Sequence, residues 1–166
     1  MAKRTIPVVD LAKFTAGTAA EKKAFVKKLG TAFHEIGFVG VKNHGVSQQL
    51  IDDFYAASKT FFGLPTEVKR SYEKPELAGQ RGYTSFGTEH AKQSKVADLK
   101  EFFQIGQTVA ADHPLKATYP DNIEVAEEVD FLRLGVELYR AFEKAGGYLL
   151  EAIAIHLDLD LSLIHI

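Results

Sequence analysis

Cysteine is missing from all 166 residues. That excludes disulfides, thiolate metal sites and a cysteine nucleophile, and it fits a reducing cytosol. The formal net charge is only −2, so there is no electrostatic case for a nucleic-acid or membrane partner. No apolar run is long enough to span a bilayer. The start, Met1-Ala2-Lys3-Arg4-Thr5-Ile6-Pro7, has no apolar h-region, which argues against secretion. Internal repeats and a domain linker are also lacking. These absences point to one cytoplasmic domain, and an apolar content of 46% is ample for a core.

The chain that remains is well punctuated. Ile6 to Leu11 is a short apolar run broken by Pro7, as in an edge strand or a strand start. Thr18-Ala19-Ala20-Glu21 is a capping-box pattern. The helix it opens places Phe25, Leu29, Ala32, Phe33 and Ile36 on one stripe, with His34 half-buried beside it. Lys22, Lys23, Lys27 and Lys28 then form its solvated polar face. Gly37 ends that helix, and Phe38 to Val41 reads as a strand. Asn43-His44-Gly45 is turn chemistry, and Ser47 caps a helix with Leu50, Ile51, Phe54, Ser58, Phe61 and Phe62 inside. Gly63 stops it, and Pro65 starts a short helix through Tyr72.

Residues 73 to 98 read as loop, with a strand at Arg81-Gly82-Tyr83. Lys100 to Gly106 alternates, with Glu101, Phe103 and Ile105 on one face. Residues 107 to 122 are loop again. A long helix follows from about Val125 to Leu157, with a stripe of Phe131, Leu134, Leu138, Phe142, Ala145, Leu149, Ile153 and His156. Gly146-Gly147 permits a bend or close packing there.

Five pieces in this order carry a resemblance. They are Ile6-Pro7-Val8-Val9-Asp10-Leu11, Gly37-Phe38 through Asn43-His44-Gly45-Val46, Phe61-Phe62-Gly63-Leu64-Pro65 with Glu67 and Lys69, Arg81-Gly82-Tyr83, and Asp98 to Gly106. Together they resemble the N-terminal region of the isopenicillin N synthase-like, 2-oxoglutarate/Fe(II)-dependent oxygenases. The resemblance implies an α+β chain, the helical and strand shell of a double-stranded β-helix (jelly-roll) oxygenase, with the catalytic barrel core largely missing. It implies iron held by two His and one carboxylate, from an H-x-D motif and a later His, all C-terminal to the long helix. It also implies that Fe(II) and 2-oxoglutarate serve the intact parent, which would oxidise a small-molecule substrate by hydroxylation, desaturation or ring closure. Neither is expected to bind this chain.

His156-Leu157-Asp158 has the H-x-D spelling, and His165 follows. In a strand, i and i+2 point the same way; in a helix they are about 200° apart and cannot share a metal. His156 continues a helical stripe, so no triad is expected. The last six residues, Leu161-Ser162-Leu163-Ile164-His165-Ile166, are what CTG TCT CTT ATA CAC ATC encodes, a string resembling a sequencing-adapter end. Residues 1–160 are therefore expected to be the oxygenase region and 161–166 a translated adapter; different codons there would refute this.

Within the shell the resemblance offers four candidate substrate-binding residues: Arg81, Tyr83, Glu101 and Phe103. Arg81 suits a carboxylate by bidentate hydrogen bonding, or else ion-pairs at the surface with Glu73 or Glu76. Glu101 borders a substrate cavity, or pairs with Lys100 or Lys95. Ser85 is a weaker candidate. His44 reads as a structural turn residue, and His90 and His113 as solvated loop residues. The chain alone is expected to be inactive and to self-associate through the long helix's exposed face. The alternative is a genuine short binding or interaction module built on the same shell.

Overall fold

A computed structural model describes residues 5–90, 92 and 96–161. Lys95 and the tail from 162 on, His165 included, lie outside the described residues. The order is β1 (Val8–Asp10), α1 (Ala12–Thr15), α2 (Ala19–Glu35), β2 (Gly40–Lys42), α3 (Gln48–Phe62), α4 (Thr66–Arg70), a 3₁₀ turn (Pro75–Leu77), β3 (Gly82–Thr84), β4 (Phe102–Gln104) and α5 (Val129–His156). Among the described residues the strands form two two-stranded sheets and no barrel. Nor is any helix there long and apolar enough to cross a membrane.

The chain divides into two compact units, one through Val46 plus the residues from Ala141 on, the other Ser47–Arg140. In the first, β1 and β2 pair in parallel, with Asp10 opposite Lys42. That register brings Asn43, in the left-handed conformation at φ 52°, beside Asp10: its Nδ2 donates to Asp10 Oδ1 at 2.9 Å. The same oxygen accepts from the Ala12 N–H at 3.2 Å, so Asp10 ties the turn to the start of α1. The hydrogen bond from Asn43 holds the Asp10 carboxyl below its ordinary range. His44 is a turn residue, its Nδ1 accepting from the Val46 N–H at 3.2 Å.

The capping box at Thr18 is complete: Thr18 Oγ1 accepts from the Glu21 N–H, and Glu21 returns a carboxylate to the Thr18 N–H. The inner face of α2 is Phe25, Val26, Leu29 and Ala32, and the first three join Val9, Leu11, Phe14, Ala145 and Ala152 in one core. Phe33 and His34, expected inside or half inside, are exposed. His34 points away from the face that Leu29 and Ala32 define, and Phe33, on that face by period, sits in the last turn of α2 where the core no longer covers it. Lys23, Lys27 and Lys28 lie on the outward side of the helix, away from that face. Lys22 is half-buried: its ammonium sits 4.3 Å from the Phe14 ring centre and 3.2 Å from Glu151.

The second unit is built around Phe61, which is fully buried. Its ring meets Phe62, Phe103 and Phe131 at 5.0–5.1 Å and Tyr72 and Tyr83 at 6.0 Å. These distances are those of favourable edge-to-face and offset packing. Helix α5 starts at Val129, later than the expected Val125, which is itself buried in this core. Phe131 and Leu134 are buried here, but Phe142, expected on the same stripe, is 54% exposed. Gly146-Gly147 lies within uninterrupted helix.

Phe61→Ala should cost about 3–5 kcal/mol, since the surrounding rings lose their common partner and the cavity cannot fully collapse. Urea unfolding monitored by circular dichroism checks this; a loss below about 1 kcal/mol would show that another side chain organises the cluster.

Candidate functional site

The four candidate residues stand on or beside the β3–β4 pair, where Tyr83 lies opposite Phe103 in antiparallel register. Gly82 makes that pairing possible. Its φ is +80°, and a Cβ there would lie 2.4 Å from the Tyr72 carbonyl oxygen. Only glycine fits, and the Tyr83 N–H then donates to that same oxygen at 3.0 Å.

Tyr83 and Glu101 meet, as neighbours across paired strands can. The Tyr83 hydroxyl donates to Glu101 Oε2. So does the Lys69 ammonium, at 2.7 Å, and Lys69 also donates to the Phe62 carbonyl at 3.1 Å. Lys69 is only 6% exposed. It is the buried partner that reading the sequence missed: the motif placed it, but nothing in the motif says that α4 turns it inward. The expected partner Lys100 does not hold Glu101, and Lys95 lies outside the described residues. Lys100 instead bridges Glu89 at 2.9 Å and Asp98 at 3.1 Å.

Burial pushes the Glu101 carboxyl up, but hydrogen bonds from Lys69 and Tyr83 outweigh it, and the group ends below its ordinary 4.5. Burial, then the hydrogen bond to Glu101, raises Tyr83 far above its ordinary 10.0. Phe103 packs its ring on Phe61 and Phe131, 5.1 and 5.0 Å between centres, so it belongs to the core wall.

Arg81 is buried at 8% exposure, and its guanidinium faces backbone carbonyls rather than the expected Glu73 or Glu76. One terminal nitrogen donates to the Gln80 carbonyl at 2.7 Å and the other to the Gln107 carbonyl at 3.4 Å. Each bond uses one of the two N–H groups on its nitrogen, so two of the five guanidinium donors are committed to backbone. The guanidinium lies against Gly106, where an added Cβ would come within 2.2 Å of its carbon. Asn122 clamps Gly106, accepting from its N–H at 2.8 Å and donating to its carbonyl at 2.9 Å. Arg81 also lines a cleft with Tyr83, Ser85 and Glu73.

Iron does not fit the described residues. His156 is the last residue of α5, and its imidazole packs so closely on Gly30 that a Cβ there would lie 2.2 Å from Nε2. Asp158 follows in the left-handed region at φ 54°, off any strand. No three His, Asp or Glu side chains among the described residues come together as a metal would need.

The profile of the family described as "non-haem dioxygenase in morphine synthesis N-terminal" matches residues 6–127. A 2-oxoglutarate-Fe(II) type oxidoreductase, ppzC of Metarhizium rileyi, is 33% identical over 78% of this chain and 34% of its own length. The ppzD oxidoreductase of the same fungus is 28% identical over 96% of this chain and 47% of its own. A crystal structure of a 2OG-Fe(II) oxygenase family protein from Caulobacter crescentus superposes at TM-score 0.84 with 32% identity, over 98% of this chain and 52% of that one. A full-length Neurospora crassa protein, solved in complex with alpha-KG, superposes at 0.75 with 26% identity, over 94% of this chain and 48% of that one. The chain thus spans about half the length of these proteins or less.

Stability should be greatest between about pH 5 and 9.5. Glu101, lowered in the fold, contributes fully above about 4.5 and progressively less as pH falls through its depressed value. Tyr83, raised in the fold, contributes fully below 10.0 and less as pH rises beyond it. Glu101→Gln should flatten the acid limb. Lys69→Met should cost about 3–5 kcal/mol at neutral pH, because it strands a buried carboxylate. The Lys69→Met/Glu101→Gln double variant should recover part of that in urea melts; strict additivity would show that the two side chains do not act together.

Proposed function

This chain belongs to the non-haem dioxygenase N-terminal family of 2-oxoglutarate/Fe(II) oxygenases, and from that premise we propose that it is the N-terminal half of an enzyme that oxidises a small molecule with Fe(II), 2-oxoglutarate and O₂. The single observation that supports this reading most is the superposition of 98% of the chain on 52% of an oxygenase of that family. The chemistry of hydroxylation, desaturation or ring closure would belong to the half that carries the iron ligands. The residues described here form the shell that shapes the approach to it, in the cytosol. In this reading Arg81 is the side chain that touches the substrate. Tyr83, Glu101 and Phe103 serve the strand pair beside it, because their polar atoms and ring faces are already engaged within the fold.

Extending the chain with its downstream coding sequence should give iron-dependent succinate release from 2-oxoglutarate, while the purified 166-residue chain should give none. Release by the short chain would overturn the division of labour. A downstream frame with no oxygenase sequence would favour the short binding module instead.

The outer face of α5 and its end bear Phe142, Leu150 and Leu157, each about half exposed. Such a stripe favours association when left uncovered. Sedimentation of the short chain should show concentration-dependent self-association, and Phe142→Lys with Leu150→Lys should reduce it. A monomer with a sharp, cooperative melt would count against this.

A further inference from the structure

The first turns of α5 carry apolar residues on two opposite sides. Phe131 and Leu134 point into the Phe61 core and are buried. Val129, Leu132 and Val136 fall on the far side of the helix, at the three- and four-residue spacing of a single stripe. Val129 is 81% exposed, and Leu132 and Val136 are half-buried. With Glu124 and Val125 of the preceding segment they line a groove of about 500 Å³. Single apolar residues scattered on a surface are ordinary, but a stripe of them along a groove marks a contact face.

The charges of this face are sorted. Arg133 is held within its own helix by Asp130 and Glu137, each at 2.9 Å. Glu124 and Arg140 also line the groove, and among the described residues neither side chain has a hydrogen bond or ion pair. Glu124 precedes the helix, and Arg140 lies about 16 Å along it from Val129. The order of these groups is symmetric about Leu132. Val129 stands three residues before it and Val136 four after, and Glu124 stands eight before and Arg140 eight after. Such a face complements a copy of itself turned through a two-fold axis, because there residue i meets j and j meets i.

We propose that this groove is an isologous dimer interface and that its occupant is a second copy of this chain. The two α5 helices run antiparallel, with Leu132 on the two-fold axis, Val129 of each copy against Val136 of the other, and Arg140 of each paired with Glu124 of the other. A partner of another kind would have to bring an acid, an apolar stripe and a base in the matching order; a second copy has all three by construction. Two short helical stretches cover less than a standard interface of about 1,200–2,000 Å², so the dimer is a weak one. This face precedes Phe142 in the chain, is separate from the stripe at Phe142, Leu150 and Leu157, and requires neither iron nor substrate.

The test uses the full 166-residue chain carrying Phe142→Lys and Leu150→Lys, which removes association through that later stripe. Sedimentation over a range of concentrations should still show a monomer–dimer equilibrium. Arg140→Glu or Glu124→Arg alone sets like charges opposite each other twice per dimer and should weaken it about tenfold. The two reversals together should bring it back to within about threefold of the starting variant. Leu132→Glu should leave a monomer whose helix content, by circular dichroism, is unchanged. Because the chain has no cysteine, Leu132→Cys gives a second reading. A residue on the axis meets itself, so mild oxidation should yield a disulfide-linked dimer, whereas Lys23→Cys, exposed on α2, should not cross-link. The proposal fails if the chain is monomeric at every concentration, if the dimer is indifferent to Leu132→Glu, if the double reversal is no better than either single one, or if Lys23→Cys cross-links as readily as Leu132→Cys.

Discussion

Lys69 is a buried cation, and the rest of the second unit is arranged around the need to pair it. An ammonium removed from water is costly unless a carboxylate and further acceptors meet it. Here Glu101 and the Phe62 carbonyl do so, and Tyr83 completes the carboxylate's bonding. The consequence is topological as much as energetic. Lys69 comes from α4, Tyr83 from β3 and Glu101 from the approach to β4, so one ion pair and the tyrosine bonded to it join three separate chain segments. The Phe61 cluster fills the space beside it, drawing rings from α3, β3, β4 and α5.

This explains why the family motif has separate pieces. The Pro65-to-Lys69, Arg81-to-Tyr83 and Asp98-to-Gly106 pieces are distant as text but contiguous in space. Gly82 lets β3 pass the Tyr72 carbonyl, and Gly106 lets the Arg81 guanidinium lie against the backbone. In the first unit, Asp10 and Asn43 do the same for the first two pieces. Each piece contains a residue whose partner is in another piece.

Local chemistry was legible in the sequence, and distant pairing was not. Thr18, Gly37 and Ser47 mark helix ends because capping involves neighbours within a few residues. The α3 face and the outward lysines of α2 follow from helical period alone. Phe33, His34 and Phe142 misled because period assigns a face, and whether a position on or beside that face is covered depends on what packs against that turn of the helix. At the candidate site, Glu101 and Tyr83 could be placed on strands, but their shared partner could not be named. Lys69 on paper is one more surface lysine, and its inward turn shows only in its bonds to the Phe62 carbonyl and Glu101. Arg81 was read as a free fork for a carboxylate, yet backbone carbonyls hold two of its donors.

The bond between Asp10 and Asn43 joins residues 33 apart in the chain. Its implication is one of order in time. Bringing two strands together in parallel requires closing a loop that contains α1 and α2, and the entropy of closure is lowest when that loop is already compact. Helix α2 can form early, because its capping box is satisfied entirely by residues three positions apart. The parallel strand pair is then a late event that depends on the helix. A weakened Thr18 cap would be felt first in the rate at which β1 finds β2, before it was felt in any contact of the finished fold.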